Sequence, residues 1–259
     1  MSDAEVIFER KGPALWAIIN REERRNSLTK SVFDGLVDSL RQADQDPTIR
    51  AVVWTGCGDK AFCAGGDLKP GKSVFDFDVS EPTTTPVNVM RTVTTSRVPI
   101  IGRINGHCLA GGMGLLAMCD LAVSVDTARF GLPESRIGMF PMQIYPLLQE
   151  IVPRRYLTEL CMTGQPISAA KAMEWGLLNY VVPVAELDNK VNELATYLAE
   201  ASPSAIRRGK YSMRAMASMT LEQALAFTES QTMVMVQTED AAEGKLAFNE
   251  KRKPAWTGR

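Results

Sequence analysis

Along the chain, short unbroken apolar runs alternate with stretches in which apolar residues recur every three or four positions, the order expected of buried strands and amphipathic helices. ALWAII (Ala14–Ile19) and AVVWTG (Ala51–Gly56) have strand length, the second closed by glycine. Between them Phe33, Leu36, Val37 and Leu40 fall at helical spacing, with Thr29 placed as an N-cap. The order then repeats: VPIIGRI (Val98–Ile104) predicts a strand, HCLAGGMGLLAMCD (His107–Asp120) a glycine turn running into a helix, and LAVSV (Leu121–Val125) another strand. Residues 70–90, PGKSVFDFDVSEPTTTPVNVM, are rich in Pro, Thr, Ser and Asp without a sustained period, which predicts a mobile loop or a short helix.

From Ser168 onward the pattern is helical. SAAKAMEWGLL closes near Gly176, Leu187, Val191, Leu194 and Leu198 mark one amphipathic face, Thr220 and Gln223 have capping-box spacing, and a last helix starts near Thr238. The expected organisation is therefore an α/β core over residues 1–195 and a helical region over residues 196–259.

Composition narrows the partners. The 259 residues carry 29 Lys and Arg against 30 Asp and Glu, a net charge of -1 that offers no basic field to nucleic acid or an anionic membrane. No leader-like segment and no run of membrane-spanning length is evident, so a cytoplasmic protein is expected. The five cysteines, at positions 57, 63, 108, 119 and 161, form no CxxC pair and have no second histidine near them, which reads as reduced core thiols without a metal site.

Chemistry concentrates in three places. AFCAGGDLK (Ala61–Lys69) and CLAGGMGLL (Cys108–Leu116) each carry an Ala-Gly-Gly core. Glycine permits positive φ and close approach, so such turns can aim backbone N–H groups at a developing oxyanion, or can simply make tight connections between packed elements. Neither turn matches a nucleotide-phosphate loop. In RFGLPESRIG (Arg129–Gly138), Glu134 follows a proline and stands near Phe130, Ile137 and the apolar run Met139 to Met142. Apolar walls would disfavour its charge and suit an acid/base role, while the same pattern fits a helix-start glutamate answering the dipole or pairing with Arg136. His107, the lone histidine, reads as packed or hydrogen-bonded, and Cys63 and Cys108 flank the glycine turns with no base paired to them.

Taken together, AFCAGGDLK, VPIIGRINGHCLAGGMGLLAMCDLAV, ARFGLPESRIGMFP, MTGQPISAAKAMEWGLLNYVVP and AFNEKRKP resemble, in order and spacing and over essentially the whole chain, the crotonase or enoyl-CoA hydratase/isomerase superfamily. The resemblance implies an α/β, ClpP-like spiral of repeated β-β-α units with a C-terminal helical trimerisation region, assembled as a homotrimer or homohexamer. It implies an acyl-CoA thioester as partner, coenzyme A entering as part of the substrate and no permanently bound cofactor. Gly66 and Gly111 match the backbone donors of the oxyanion hole. Ala64, Asp67 and Leu68 match backbone positions beside the adenine, and Arg24, Arg25 and Lys69 lie near phosphate positions. Phe248 and Lys251 match tail residues that reach CoA, often from a neighbouring subunit.

Two departures bear on the reaction. Two-carboxylate hydratases of the family carry one glutamate at the position of Glu134 and another where this chain has Gly114. Where they have a glycine-rich segment, this chain has Pro141, Met142, Gln143, Ile144 and Tyr145, so an apolar acyl pocket of altered shape is expected around Met113, Met139, Pro141, Met142 and Tyr145. The resemblance places enoyl-CoA hydration in fatty acid metabolism first on family frequency. A Δ3-Δ2-enoyl-CoA isomerase working with Glu134 alone comes next, and a non-catalytic acyl-CoA binder is the alternative of another class.

Overall fold

The computed structural model describes residues 4–69 and 79–259. The chain opens with β1 (Val6–Lys11) and β2 (Ala14–Ile19), then α1 (Lys30–Gln45), β3 (Ala51–Gly56), β4 (Ala61–Cys63) and α2 (Thr85–Thr95). Next come β5 (Ile100–Ile104), β6 (His107–Leu109), α3 (Gly111–Met118), β7 (Leu121–Val125) and β8 (Arg129–Gly131). A 3-10 turn over Pro133–Ile137 leads to α4 (Tyr145–Leu148), α5 (Arg154–Thr163), β9 (Ile167–Ser168), α6 (Ala169–Glu174) and β10 (Tyr180–Val182). The helices α7 (Leu187–Glu200), α8 (Pro203–Met216), α9 (Leu221–Met235) and α10 (Glu239–Glu250) complete the chain.

The apolar runs become the centre of a six-stranded sheet, in the order β1-β2-β3-β5-β7-β10. Only β1 pairs antiparallel, with β2; the other neighbours are parallel. Parallel strands covered on both faces lose their polar alternation, which is why β2 and β3 read as continuous apolar segments. Trp16 and Trp54 are fully buried, and the Trp54 indole donates to Ser39 Oγ on α1 at 3.2 Å. The expected starts of α1, α9 and α10 are present: Thr29 accepts from the Val32 amide, Thr220 and Gln223 form a reciprocal capping box, and Thr238 caps α10.

A second sheet, ordered β4-β6-β8-β9, positions the site. β4, β6 and β8 run parallel, so their C-terminal ends lie along one edge and deliver Ala64-Gly65-Gly66, Ala110-Gly111 and Leu132-Pro133-Glu134 side by side. Ligand sites form at such an edge because the loops leaving parallel strands converge there.

Of residues 70–90, expected as a loop or short helix, 70–78 lie outside the described residues, 79–84 form turns, and α2 begins at Thr85. The expected boundary between residues 195 and 196 falls inside α7, whose Leu187, Val191 and Leu194 are buried. α8 is fastened to the body by Lys210, whose ammonium donates to Asp120 Oδ2 at 2.5 Å and to the Val98 carbonyl at 2.8 Å. No described helix is long and apolar enough to cross a membrane.

Candidate active site

The two Ala-Gly-Gly turns meet face to face. Gly65 has a φ of 107°, a conformation open to glycine, and a Cβ there would stand 2.7 Å from the Ala110 methyl. A Cβ on Gly111 would stand 2.9 Å from Leu28 Cδ1 and 3.4 Å from the Gly66 nitrogen, so the Gly66 and Gly111 amides are neighbours. Among the described residues neither of these N–H groups has a protein acceptor. Ala110 itself sits at φ 49° and ψ -123°, costly for a residue with a side chain, roughly 1–3 kcal/mol. That backbone turn aims the Gly111 amide away from β6 and starts α3.

The first turn is braced from beneath. Leu28 N–H donates to the Gly65 carbonyl and Asp67 N–H to the Leu28 carbonyl, both at 2.8 Å. Arg21, buried, donates to Asp67 Oδ2 at 2.8 Å and holds its carboxyl below the usual carboxylate range. The Asp67 side chain is thereby committed to the scaffold, as its backbone N–H already is through Leu28. Arg21 was not singled out in the sequence; its partner lies 46 positions away, so no local pattern signals the pair.

Glu134 enters from the 3-10 turn after β8. It is 9% exposed, and its Oε2 is buried without a hydrogen-bond partner. Burial raises its carboxyl above the ordinary value, opposed only by a backbone hydrogen bond. Arg136 does not answer it: the guanidinium donates to the Thr163 carbonyl at 3.3 Å. Of the readings for Glu134, the pairing with Arg136 is not made, while the residue does stand in the first turn of the 3-10 segment and lines a cavity.

That cavity holds about 620 Å³, a size suited to a small-molecule ligand. Of the residues singled out in the sequence, Ala64, Gly66, Leu68, Gly111, Gly114, Glu134, Met139, Pro141 and Met142 line it. Leu28, Phe33, Pro86, Met90, Met118, Phe140, Gln143 and Ile144 line it as well, brought in by α1, α2, α3 and the 139–144 wall. Glu134 and Arg136 are the ionisable side chains among these residues.

Two expected pocket residues are elsewhere. Met113 is fully buried and off the cavity, because Gly111, Gly114 and Met118 share one face of α3 and Met113 points from another. Tyr145 begins α4 and sets its ring 6.1 Å from that of Phe140, behind the wall. Arg24 and Arg25 are exposed, with the Arg25 carbonyl accepting from Ala64 N–H at 3.0 Å, so they flank the first turn. Lys69 is exposed beside Asp67, to which its N–H donates at 3.1 Å. Phe248, 84% exposed, and Lys251 stand at the end of α10 and do not line the cavity.

Gly114 is more than a missing side chain. A Cβ there would meet Ile144 Cγ2 at 3.4 Å, ordinary contact, so the 139–144 wall has closed an apolar residue over this position. Gln143 fastens the wall, its amide donating to Thr84 Oγ1 at 3.0 Å just before α2.

Comparison with known proteins bears on the family and the fold. The sequence profile described as enoyl-CoA hydratase/isomerase matches residues 14–259. Carnitinyl-CoA dehydratase of Escherichia coli (strain K12) is 35% identical over 257 residues, 96% of this chain and 97% of that protein. The corresponding protein of Proteus mirabilis (strain HI4320) is 31% identical over 254 residues, with the same coverage. Among solved structures, an enoyl-CoA hydratase from Bacillus anthracis superimposes with a TM-score of 0.89 at 30% identity, covering 98% of this chain and 100% of that one. One from Mycobacterium smegmatis gives 0.87 at 29%, covering 97% and 98%.

Proposed function

Since the chain belongs to the enoyl-CoA hydratase/isomerase family, we propose that it processes an acyl-CoA through a thioester enolate, with Glu134 as its sole acid/base and double-bond isomerisation as the reaction the geometry favours. The observation that carries this reading is the unpartnered Oε2 of Glu134, the single carboxylate among the described residues that line the cavity, in the same cavity as two backbone N–H groups without a protein acceptor among the described residues.

The step balances without a co-reactant. The Glu134 carboxylate takes a C2 proton of a 3-enoyl thioester, the C–H electrons enter the C1–C2 bond, and the carbonyl π electrons move to oxygen. The Gly66 and Gly111 amides hold that oxyanion, since fixed donors in a water-poor site stabilise developing charge without reorganising. Delivery to C4 of a proton from Glu134, either the one taken from C2 or one exchanged with solvent on the carboxyl while the dienolate lasts, closes the dienolate to a 2-enoyl thioester and regenerates the carboxylate. Burial of Glu134 brings its basicity nearer that of the carbon acid's conjugate base and toward the working pH.

Hydration or dehydration is the second reading. It is favoured by the names of the relatives and by Gln143, a polar side chain on the cavity wall able to hold a water. Against it stands Ile144 over Gly114, with no second carboxylate among the described lining residues to orient that water. The carnitinyl group named in the relatives bears a fixed cation, and among the described lining residues the only carboxylate is the one the proton chemistry needs. Coenzyme A itself would run from Gly66 toward Leu68, Lys69, Arg24 and Arg25, with Phe248 and Lys251 supplied by a second subunit of a homotrimer or homohexamer.

Product analysis separates the readings. Given both 3-enoyl-CoA and 2-enoyl-CoA substrates, the enzyme is expected to shift the double bond at constant mass faster than it adds water. An 18 Da gain as the main product would move hydration to first place, and binding with no product from either would leave an acyl-CoA binder.

A further inference from the structure

The cavity has a direction. Leu68, Ile137 and Met142 are 60%, 61% and 72% exposed and mark its mouth, whereas Leu28 beside Gly111 and Phe33 and Met118 farther from it are buried lining residues. One face of α3 runs between them, presenting Gly111, Gly114 and Met118 in turn. The rise of 1.5 Å per residue sets the Met118 Cα about 10 Å beyond the Gly111 amide, an upper span of roughly eight extended carbons before the methionine side chain itself is counted. Met90 of α2 lines the same cavity, and α2 packs on α1, which supplies Phe33. The Gln143–Thr84 hydrogen bond ties the 139–144 wall to the start of α2, so wall and floor form one enclosure.

We propose that Phe33, Met90 and Met118 form an end-stop that selects uncharged acyl chains of about eight carbons, laid along α3 from the thioester position. The proposal rests on the reading of Gly111 as the thioester end. Apolar walls attract each added methylene, and the floor ends the gain. Unbranched methionines adapt to the chain terminus without leaving a void, which suits a floor that meets chains of slightly different shape. An acyl group with a fixed charge at its far end would be desolvated against thioether and phenyl groups with no counter-ion beside them among the described lining residues, and is rejected.

The test is a calorimetric binding ladder of saturated acyl-CoA thioesters from butanoyl to dodecanoyl, which requires no turnover. Affinity should rise about fourfold per added methylene up to about eight carbons and then level or fall. Met90→Trp should move the break to a shorter chain, and Met118→Phe, a second variant with a different packing risk, should do the same. An octanoyl thioester bearing a terminal trimethylammonium group should bind at least tenfold more weakly than octanoyl-CoA. Affinity independent of chain length, a rise that continues unbroken to dodecanoyl, or a break unmoved in both folded variants overturns the end-stop. Because saturated thioesters cannot isomerise, these results stand apart from the fate of Glu134 chemistry, which is read separately by product analysis.

Discussion

Glu134 combines a buried, unpartnered oxygen with a carboxyl raised by loss of water, and the two properties lead to separate predictions. Glu134→Gln should lower turnover by about 10²- to 10⁴-fold while leaving binding of a saturated acyl-CoA nearly unchanged, as steady-state kinetics beside calorimetry would measure. The same variant should be more stable than the parent at neutral pH. A carboxyl with a raised pKa binds its proton more tightly when folded, so folding stability falls as pH climbs from near the ordinary value of 4.5 through the raised one. The advantage of glutamine should therefore grow over that interval and vanish below it; thermal melts at stepped pH that show a constant difference would contradict the burial argument. Ala110 offers a third: Ala110→Gly relieves the φ of 49° and should raise stability by up to about 1 kcal/mol in denaturant unfolding. The residues of this site were readable in the sequence as types, Ala-Gly-Gly twice and one Glu after Pro. Their meeting was not, because contact between Gly65 and Ala110 spans 45 positions and leaves no local mark.

At the scale of elements, the site is a product of β4, β6 and β8 ending on one edge. These strands have three residues each, too short to carry a period, whereas β2, β3, β5 and β7 announce themselves by apolar runs of five or six. The face of α3 was obscured for a related reason: GGMGLLAM is apolar all round, so nothing in its pattern distinguishes the cavity side, with Gly114 and Met118, from the core side, with Met113. The contact between Gly114 and Ile144 yields a prediction on elements rather than residues. Gly114→Glu alone should not confer hydration, because the new side chain must displace Ile144, while Gly114→Glu combined with Ile144→Ala should raise the hydration rate at least tenfold over the parent. Hydration by the single variant equal to that of the double would show that the wall is not what excludes water.

The whole molecule leaves an apolar surface on its C-terminal helices. Leu221, Leu225 and Met233 on α9 are 76%, 51% and 67% exposed, and α9 has no buried residue. A face of this kind marks an interface, and we propose that other copies of the chain cover it. Light scattering should report a mass three or six times 28.4 kDa, reduced by Leu225→Glu with Met233→Glu, and a monomer in the parent would contradict this. The measurement that bears most directly on Glu134 uses the full chain. A 3-enoyl-CoA incubated in deuterium oxide should acquire deuterium at C2 and C4, followed by mass spectrometry and NMR, and Glu134→Gln should lose at least 10² of that exchange rate while still binding the thioester. Exchange at the parent rate in the glutamine variant would place the proton chemistry on another group and end the account given for this site.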